Sequence, residues 1–229
     1  MLITPANLIA KFQYALDNDW GYIYGAWHET WTKAKQDALV NKFISSYGSN
    51  WKNSTSAKKE DKYYGALYGS KWIGHVVTDC SGLFYWAFKE LGGYMYHGSN
   101  TMWNKYCTTK GKLNKGGRAD GNPLKLGTAV FTGNDSNHGH VGLYVGNDTV
   151  IEASGTQAGV ITTKISSGKW TCWGEMKGVD YGDNSAATVK PEPIPSIGSA
   201  VVNDTKVALR SAPSKSASIL TRVDKGQRV

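Results

Sequence analysis

The apolar residues change their period between Cys80 and Ile165, and that change restricts the chain to a mixed fold. In "CSGLFYWAFKELGG" (80–93), Leu83, Phe84, Ala87, Phe88 and Leu91 fall at i, i+1, i+4, i+5 and i+8. That spacing marks one face of a helix, and Gly92-Gly93 supply the stop. A Gly/Lys-rich connection (110–126) follows. Then "GTAVFT" (127–132), "HVGLYVG" (140–146), "TVIEAS" (149–154) and "GVITTKI" (159–165) are short and rich in β-branched residues. Gly, Asn and Asp separate them, which is the pattern of strands joined by tight turns. "GEMKGVDY" (174–181) reads as a last strand. Helices first and antiparallel strands afterwards make an α+β domain.

Two more helices precede this region. "TPANLIAKFQYALDN" (4–18) has Thr4 placed to cap, Pro5 at the first helical position, and Leu8, Phe12, Ala15 and Leu16 on one face. "TWTKAKQDALVNKFISSYG" (30–48) sets Trp31, Ala34, Ala38, Leu39 and Phe43 near one side, with Gly48 as stop. Residues 49–62, "SNWKNSTSAKKEDK", read as a polar surface loop. At 182–199 the chain turns proline-rich and loses all periodicity, so a linker is expected there. Residues 200–229 show short strand patterns around Ser, Pro and Lys turns. A length of 229 residues suits one good core with an appendage.

Charge and cysteine content narrow the function classes. The formal charge is +8, and residues 186–229, with seven Lys and Arg against three acids, carry half of it. Such a basic segment is suited to an anionic polymer such as a cell wall. No helix-turn-helix, zinc finger or RNA-binding signature is present, so nucleic acid is not an expected partner. No apolar run approaches the ~18–20 residues of a membrane span. The N-terminus has no basic region, apolar run or small-residue cleavage site, so no signal peptide is expected. Three cysteines, an odd number with no CxxC pair, make neither a disulfide framework nor a metal knuckle.

Cys80 stands where the helix of 80–91 should begin, between Asp79 and Ser81. A helix N-terminus offers unpaired amides and about half a positive charge, which favour a thiolate. An isolated cysteine is more often a buried small hydrophobe, and Cys107 and Cys172 are read that way. Of five histidines, His138 and His140 lie two apart on a strand-like segment and share a face. The pair could ligate a metal, or one of them could serve Cys80 as general base; composition alone leaves both open. A base needs an orienting group. Glu152 lies twelve residues after His140, across an expected hairpin. A plain two-residue Asn147-Asp148 turn would put the two side chains on opposite faces. Their pairing therefore requires a bulged or longer loop.

"DCSGLFYWAF", then "HVGLYVG", then a polar residue twelve positions after that histidine resemble the NlpC-type cysteine peptidases, papain-like cell-wall hydrolases of bacteria and phages. "YIYGA" (22–26) is similar to their Tyr-x-Trp-Gly-Gly element, with Tyr24 and Ala26 as departures. The resemblance covers roughly residues 5–181. It implies a papain-like fold, with the nucleophile at a helix N-terminus packed on an antiparallel sheet. It makes Cys80 the nucleophile, His140 the base and Glu152 the third residue. Tyr22, Asp79 and Ser81 become contacts to the amine end of a stem peptide, and no metal or other cofactor is implied. His138 has no counterpart and is expected on the rim. The stretch 27–75 is longer than the commonest family pattern. "VALRSAPSKSASILTRVDKGQRV" resembles the first half of a bacterial SH3-type wall-binding domain. The implied organisation is a catalytic domain over 1–181, a linker over 182–199 and an incomplete SH3-type domain over 200–229. The implied activity is a D,L-endopeptidase of peptidoglycan, cutting γ-D-glutamyl to a diamino acid. With no signal peptide it would be made in the cytoplasm, act at the wall, and fit a phage or prophage endolysin. An amidase on the same scaffold and a wall-binding module without activity are the alternatives.

Overall fold

The computed structural model describes residues 2–134, 136–182, 207–210 and 219–223. Helix α1 (Pro5–Asp17) starts at Thr4, whose hydroxyl accepts from the Asn7 amide, with Pro5 in the first turn. Strands β1 (Gly21–Tyr22) and β2 (Trp27–Thr30) lead to α2 (Lys33–Tyr47). Thr32 caps α2 and Gly48, with φ 78, ends it. Helix α3 (Tyr63–Tyr68), β3 (Val76–Thr78) and α4 (Cys80–Glu90) follow. A π-helical turn (Met102–Tyr106) then opens the strand-rich half: β4 (Cys107–Asn114), β5 (Gly117–Arg118), β6 (Ala129–Asn134), β7 (Asn137–Gly146), β8 (Thr149–Gly155), β9 (Gly159–Lys164) and β10 (Cys172–Met176).

These last seven strands form one antiparallel sheet in the order β5-β4-β10-β6-β7-β8-β9. Its two faces bury different side chains, as the period of two requires. Ala129, Phe131, Val141, Leu143, Ile151 and Ala153 join Leu8 and Phe12 of α1 and Leu83, Phe84 and Phe88 of α4 in the main core. Phe12 meets Phe84 edge-on, with centroids 4.7 Å apart. Val130 and Val150 face the other way, into a second cluster with Leu113, Ile165, Trp170 and Trp173. Helix α4 is buried almost all round, which explains its unbroken run of Leu, Phe, Trp and Ala. β1, β3 and β2 make a separate small sheet in which β3 pairs parallel with β1 and antiparallel with β2.

Several expectations need correction. Residues 49–62 are for the most part polar and exposed, as expected, but they also reach into the protein. Trp51 and Ala57 sit on short 3-10 turns and build a satellite core with Phe43, Tyr63 and Ala66. Ala34 and Ala38 of α2 are exposed. Gln36 is buried instead; its amide accepts from the Trp31 indole and donates to the Ala66 carbonyl, so a polar side chain occupies the inward face. The Gly/Lys-rich connection contains the end of β4 and all of β5, because Gly111 leaves room for the Trp173 indole across the pairing. β10 begins at Cys172 and ends at Met176, short of the expected 181.

The chain divides into two compact units, Met1–Ala187 and Thr188–Val229. In the second, β11 (Val207–Arg210) pairs antiparallel with β12 (Ile219–Val223), Val207 opposite Val223. The expected linker beyond Gly182 and most of the expected SH3-type segment lie outside the described residues.

Candidate active site

β3 runs directly into α4, so the residue between them, Asp79, becomes the helix cap. Its Oδ1 accepts from the Gly82 amide at 2.7 Å and from Ser81 Oγ at 3.1 Å. Its Oδ2 accepts from the Gly25 amide at 2.8 Å and faces His97 Nε2 at 2.8 Å. Gly25 turns its amide inward through a left-handed backbone, φ 83, which glycine adopts without strain. Asp79 thus ties the "YIYGA" segment, the first turn of α4 and the loop after α4 to one carboxylate.

Cys80 is the first residue of α4 and only 8% exposed. Burial pushes its thiol up to about 12 and the Asp79 charge adds to that, while hydrogen bonds from the backbone at Val141, Ser81 and Cys80 itself pull the other way. Val141 follows His140 on β7, so the thiol is joined to the histidine strand through the backbone. Tyr22 lies beside it. Burial first, then the Cys80 and Asp79 charges, raise its phenol well above the usual range. Ser81 is buried, its hydroxyl spent on Asp79.

The β7–β8 hairpin turns at Asn147-Asp148, both with left-handed backbone (φ 47 and 61). Tyr144 pairs with Val150 but Gly146 pairs with Thr149, so one extra residue is inserted between them. This bulge shifts the register by one and brings His140 and Glu152 to the same face. His140 Nε2 and Glu152 Oε2 are 2.5 Å apart. Trp170 lies nearly parallel to the imidazole, centroids 5.7 Å apart.

Glu152 has no exposed surface. Thr163 Oγ1 donates to its Oε1 at 2.7 Å, and Lys169 Nζ donates to Oε1 at 2.6 Å and to Oε2 at 2.5 Å. Burial alone would raise its carboxyl, but the hydrogen bonds from His140, Lys169 and Thr163 outweigh that and bring it down to about 2. It is an anion at neutral pH, aimed at the imidazole.

His138 does not join this group and is not on a rim. It is 1% exposed and stacks face to face on Trp103 at 4.2 Å, with the edge of Phe131 beside it. Thr132 pairs with His140 and Asn134 with Asn137, so β7 carries one extra residue between Asn137 and His140, and this breaks the shared face expected for His138 and His140. Among the described residues no three His, Cys, Asp or Glu side chains cluster as a metal site.

A cleft of about 410 Å³ adjoins Tyr22 and is lined by Tyr24, Asp61, Tyr64 and residues 154–158. Tyr24 is hydrogen-bonded to Asp61; burial, then that charge and bond, raise its phenol. Asp61 and Tyr64 come from the long stretch 27–75, which therefore contributes to the cleft wall. Sequence reasoning missed His97, Lys169 and Asp61. His97 is 18 residues from Asp79 and Lys169 is 17 from Glu152, each on an irregular segment, so no periodicity announces either.

Residues 62–174 match the model of the NlpC/P60 family. No curated protein sequence matches the chain. Among solved structures the chain is similar to the NlpC/p60 domain of the peptidoglycan hydrolase SagA, at 15% identity over 62% of this chain and 97% of that one, with a TM-score of 0.35. It is similar to the peptidoglycan hydrolase RipB from Mycobacterium tuberculosis, at 21% identity over 62% and 81%, with a TM-score of 0.35. It is also similar to RipD from the same organism, a non-catalytic NlpC/p60 domain protein adapted to peptidoglycan binding, at 20% identity over 46% and 71%, with a TM-score of 0.33. The matched segment runs from the start of α3 into β10 and includes Cys80, His140 and Glu152; over these residues the chain is similar to the NlpC/P60 family.

Proposed function

We propose that this domain is a thiol peptidase that hydrolyses the stem peptide of peptidoglycan, with Cys80 as nucleophile, His140 as base and Glu152 as the group that orients the base. The observation that carries the reading is the 2.5 Å contact between His140 and Glu152, one residue from the backbone amide that bonds the Cys80 thiol. Since Nε2 is taken by Glu152, Nδ1 is the nitrogen left for the thiol proton. Cys80 Sγ attacks the peptide carbonyl as its proton passes to His140. Backbone amides at the N-terminus of α4, that of Cys80 included, hold the oxyanion. The C–N bond then breaks, His140 returns the proton to the leaving amine, and a thioester remains. Water attacks the thioester, giving its proton to His140, and the acid leaves with the thiol restored. Because burial keeps the resting thiol neutral, proton transfer accompanies attack rather than preceding it.

The bond we assign is γ-D-glutamyl to a diamino acid, with Tyr22, Asp79 and Ser81 forming the wall beside the thiol. In this reading the basic C-terminal segment, SH3-like in sequence, attaches the enzyme to an anionic wall, and the whole fits an endolysin. A wall-binding module without activity is the second reading, favoured by the burial and neutrality of Cys80. Mass spectrometry of purified wall after incubation tests the proposal, with Cys80→Ala as control. New dipeptide ends absent from the control support it. Release of whole stems would make the enzyme an amidase. Unaltered walls of several chemotypes would favour the binding module.

A further inference from the structure

Two buried carboxylates belong to the candidate site, and both are answered from within the protein. Glu152 has Lys169, His140 and Thr163. Asp79 is adjacent to Cys80 in sequence and acts on its thiol electrostatically. A carboxylate has about four lone-pair sites. In Asp79 all four are in use: Gly82 N and Ser81 Oγ on Oδ1, Gly25 N and His97 Nε2 on Oδ2. Three of these partners belong to the cap and the loop it anchors. His97 is the separable one. Its ring reaches in from the loop after α4, stacks on Tyr85 at 6.2 Å, and keeps a side chain one quarter exposed. The hydrogen bond with Asp79 raises its pKa against the effect of burial.

We infer that His97 is a specificity-determining residue: by occupying Asp79 it denies that carboxylate to a substrate ammonium, and the site beside the thiol takes a peptide whose amino end is acylated rather than free. The inference rests on the proposed peptidase reading. An ammonium arriving there would meet a carboxylate with no open lone pair and an imidazole already bonded at its edge. An amide-linked amino end, such as a stem still attached to its sugar, carries no charge and needs no carboxylate partner. With His97 removed, Oδ2 has one open position and a negative charge, which suits an ammonium.

The test compares two soluble stem tetrapeptides that differ only at the first residue, one N-acetylated and one with a free amine. The wild-type enzyme should hydrolyse the acetylated peptide with the higher kcat/KM. In His97→Ala the ratio should move toward the free amine by about tenfold, the worth of one charge-assisted hydrogen bond. His97→Gln, whose amide can still donate to Asp79, should keep the wild-type preference. A wild-type preference for the free amine would overturn the inference without any variant, and so would an unchanged ratio in a folded His97→Ala. Failure of the enzyme to cut either peptide or whole wall is a different result and would count against the peptidase reading itself.

Discussion

A carboxylate with no exposed surface persists as an anion only if its charge is answered, and Glu152 is answered by an imidazole, an ammonium and a hydroxyl. Its carboxyl ionises near 2 in the folded protein against an ordinary 4.5. A lowered folded value stabilises the protein above the unfolded value. The contribution is therefore complete above about pH 4.5 and disappears as the pH falls through about 2. Its size is about 3 kcal/mol, from the difference in the two values. Glu152→Gln should lose about that much stability at pH 7, and urea titrations should show the gap closing toward pH 2. His97 has the opposite sign. Its raised value means that the Asp79 pair stabilises the fold at low pH and weakens as the pH rises through the folded value. The gap in thermal midpoint between wild type and His97→Ala should accordingly be larger at pH 6 than at pH 9. At this scale the sequence shows the spacing of Cys80, His140 and Glu152, and the parity argument even requires the bulge found near Val145. It does not show Lys169 or His97, because both reach their carboxylates from loops with no repeating pattern.

Helix α4 works as an element because Gly82 lets it approach β2. A Cβ there would stand 2.2 Å from the Ala26 carbonyl oxygen, the acceptor of the Asp79 amide. Gly82→Ala should therefore cost about 1–3 kcal/mol by overpacking and should move the cap and thiol with it. Guanidinium unfolding and peptide cleavage measured on the same sample would check both effects. Trp51→Ala removes the largest side chain of the satellite core, and a loss of about 3–5 kcal/mol is expected where that module unfolds with the rest. The elements with a clean period were readable: α1, α4 and the four β-branched strands lie close to where the pattern puts them. Those without one were not. Residues 49–62 carry Trp51 and Ala57 among Lys, Ser and Asn, so a core contributor is hidden in a polar composition. β4 is Lys- and Thr-rich, and of its residues only Leu113 is buried.

At the scale of the molecule, the first unit closes its own core and holds every member of the candidate site. The NlpC/P60 match falls entirely inside it. The second unit is small and strongly basic in sequence. A chain ending at Ala187 should keep the thermal midpoint of the first unit and its rate on a soluble peptide. It should also release from anionic wall at lower salt than the full chain, since charge attraction of this kind is screened within about 10 Å at 0.1 M. Sedimentation with purified wall over a salt series measures the difference. The most direct test of the account is intact-protein mass spectrometry after rapid acid quenching of the enzyme with wall fragments. A covalent adduct with the mass of the acyl portion, on Cys80 and absent from Cys80→Ala, is the predicted result. Undiminished wall cleavage by Cys80→Ala, with no adduct on the wild-type protein, would contradict it.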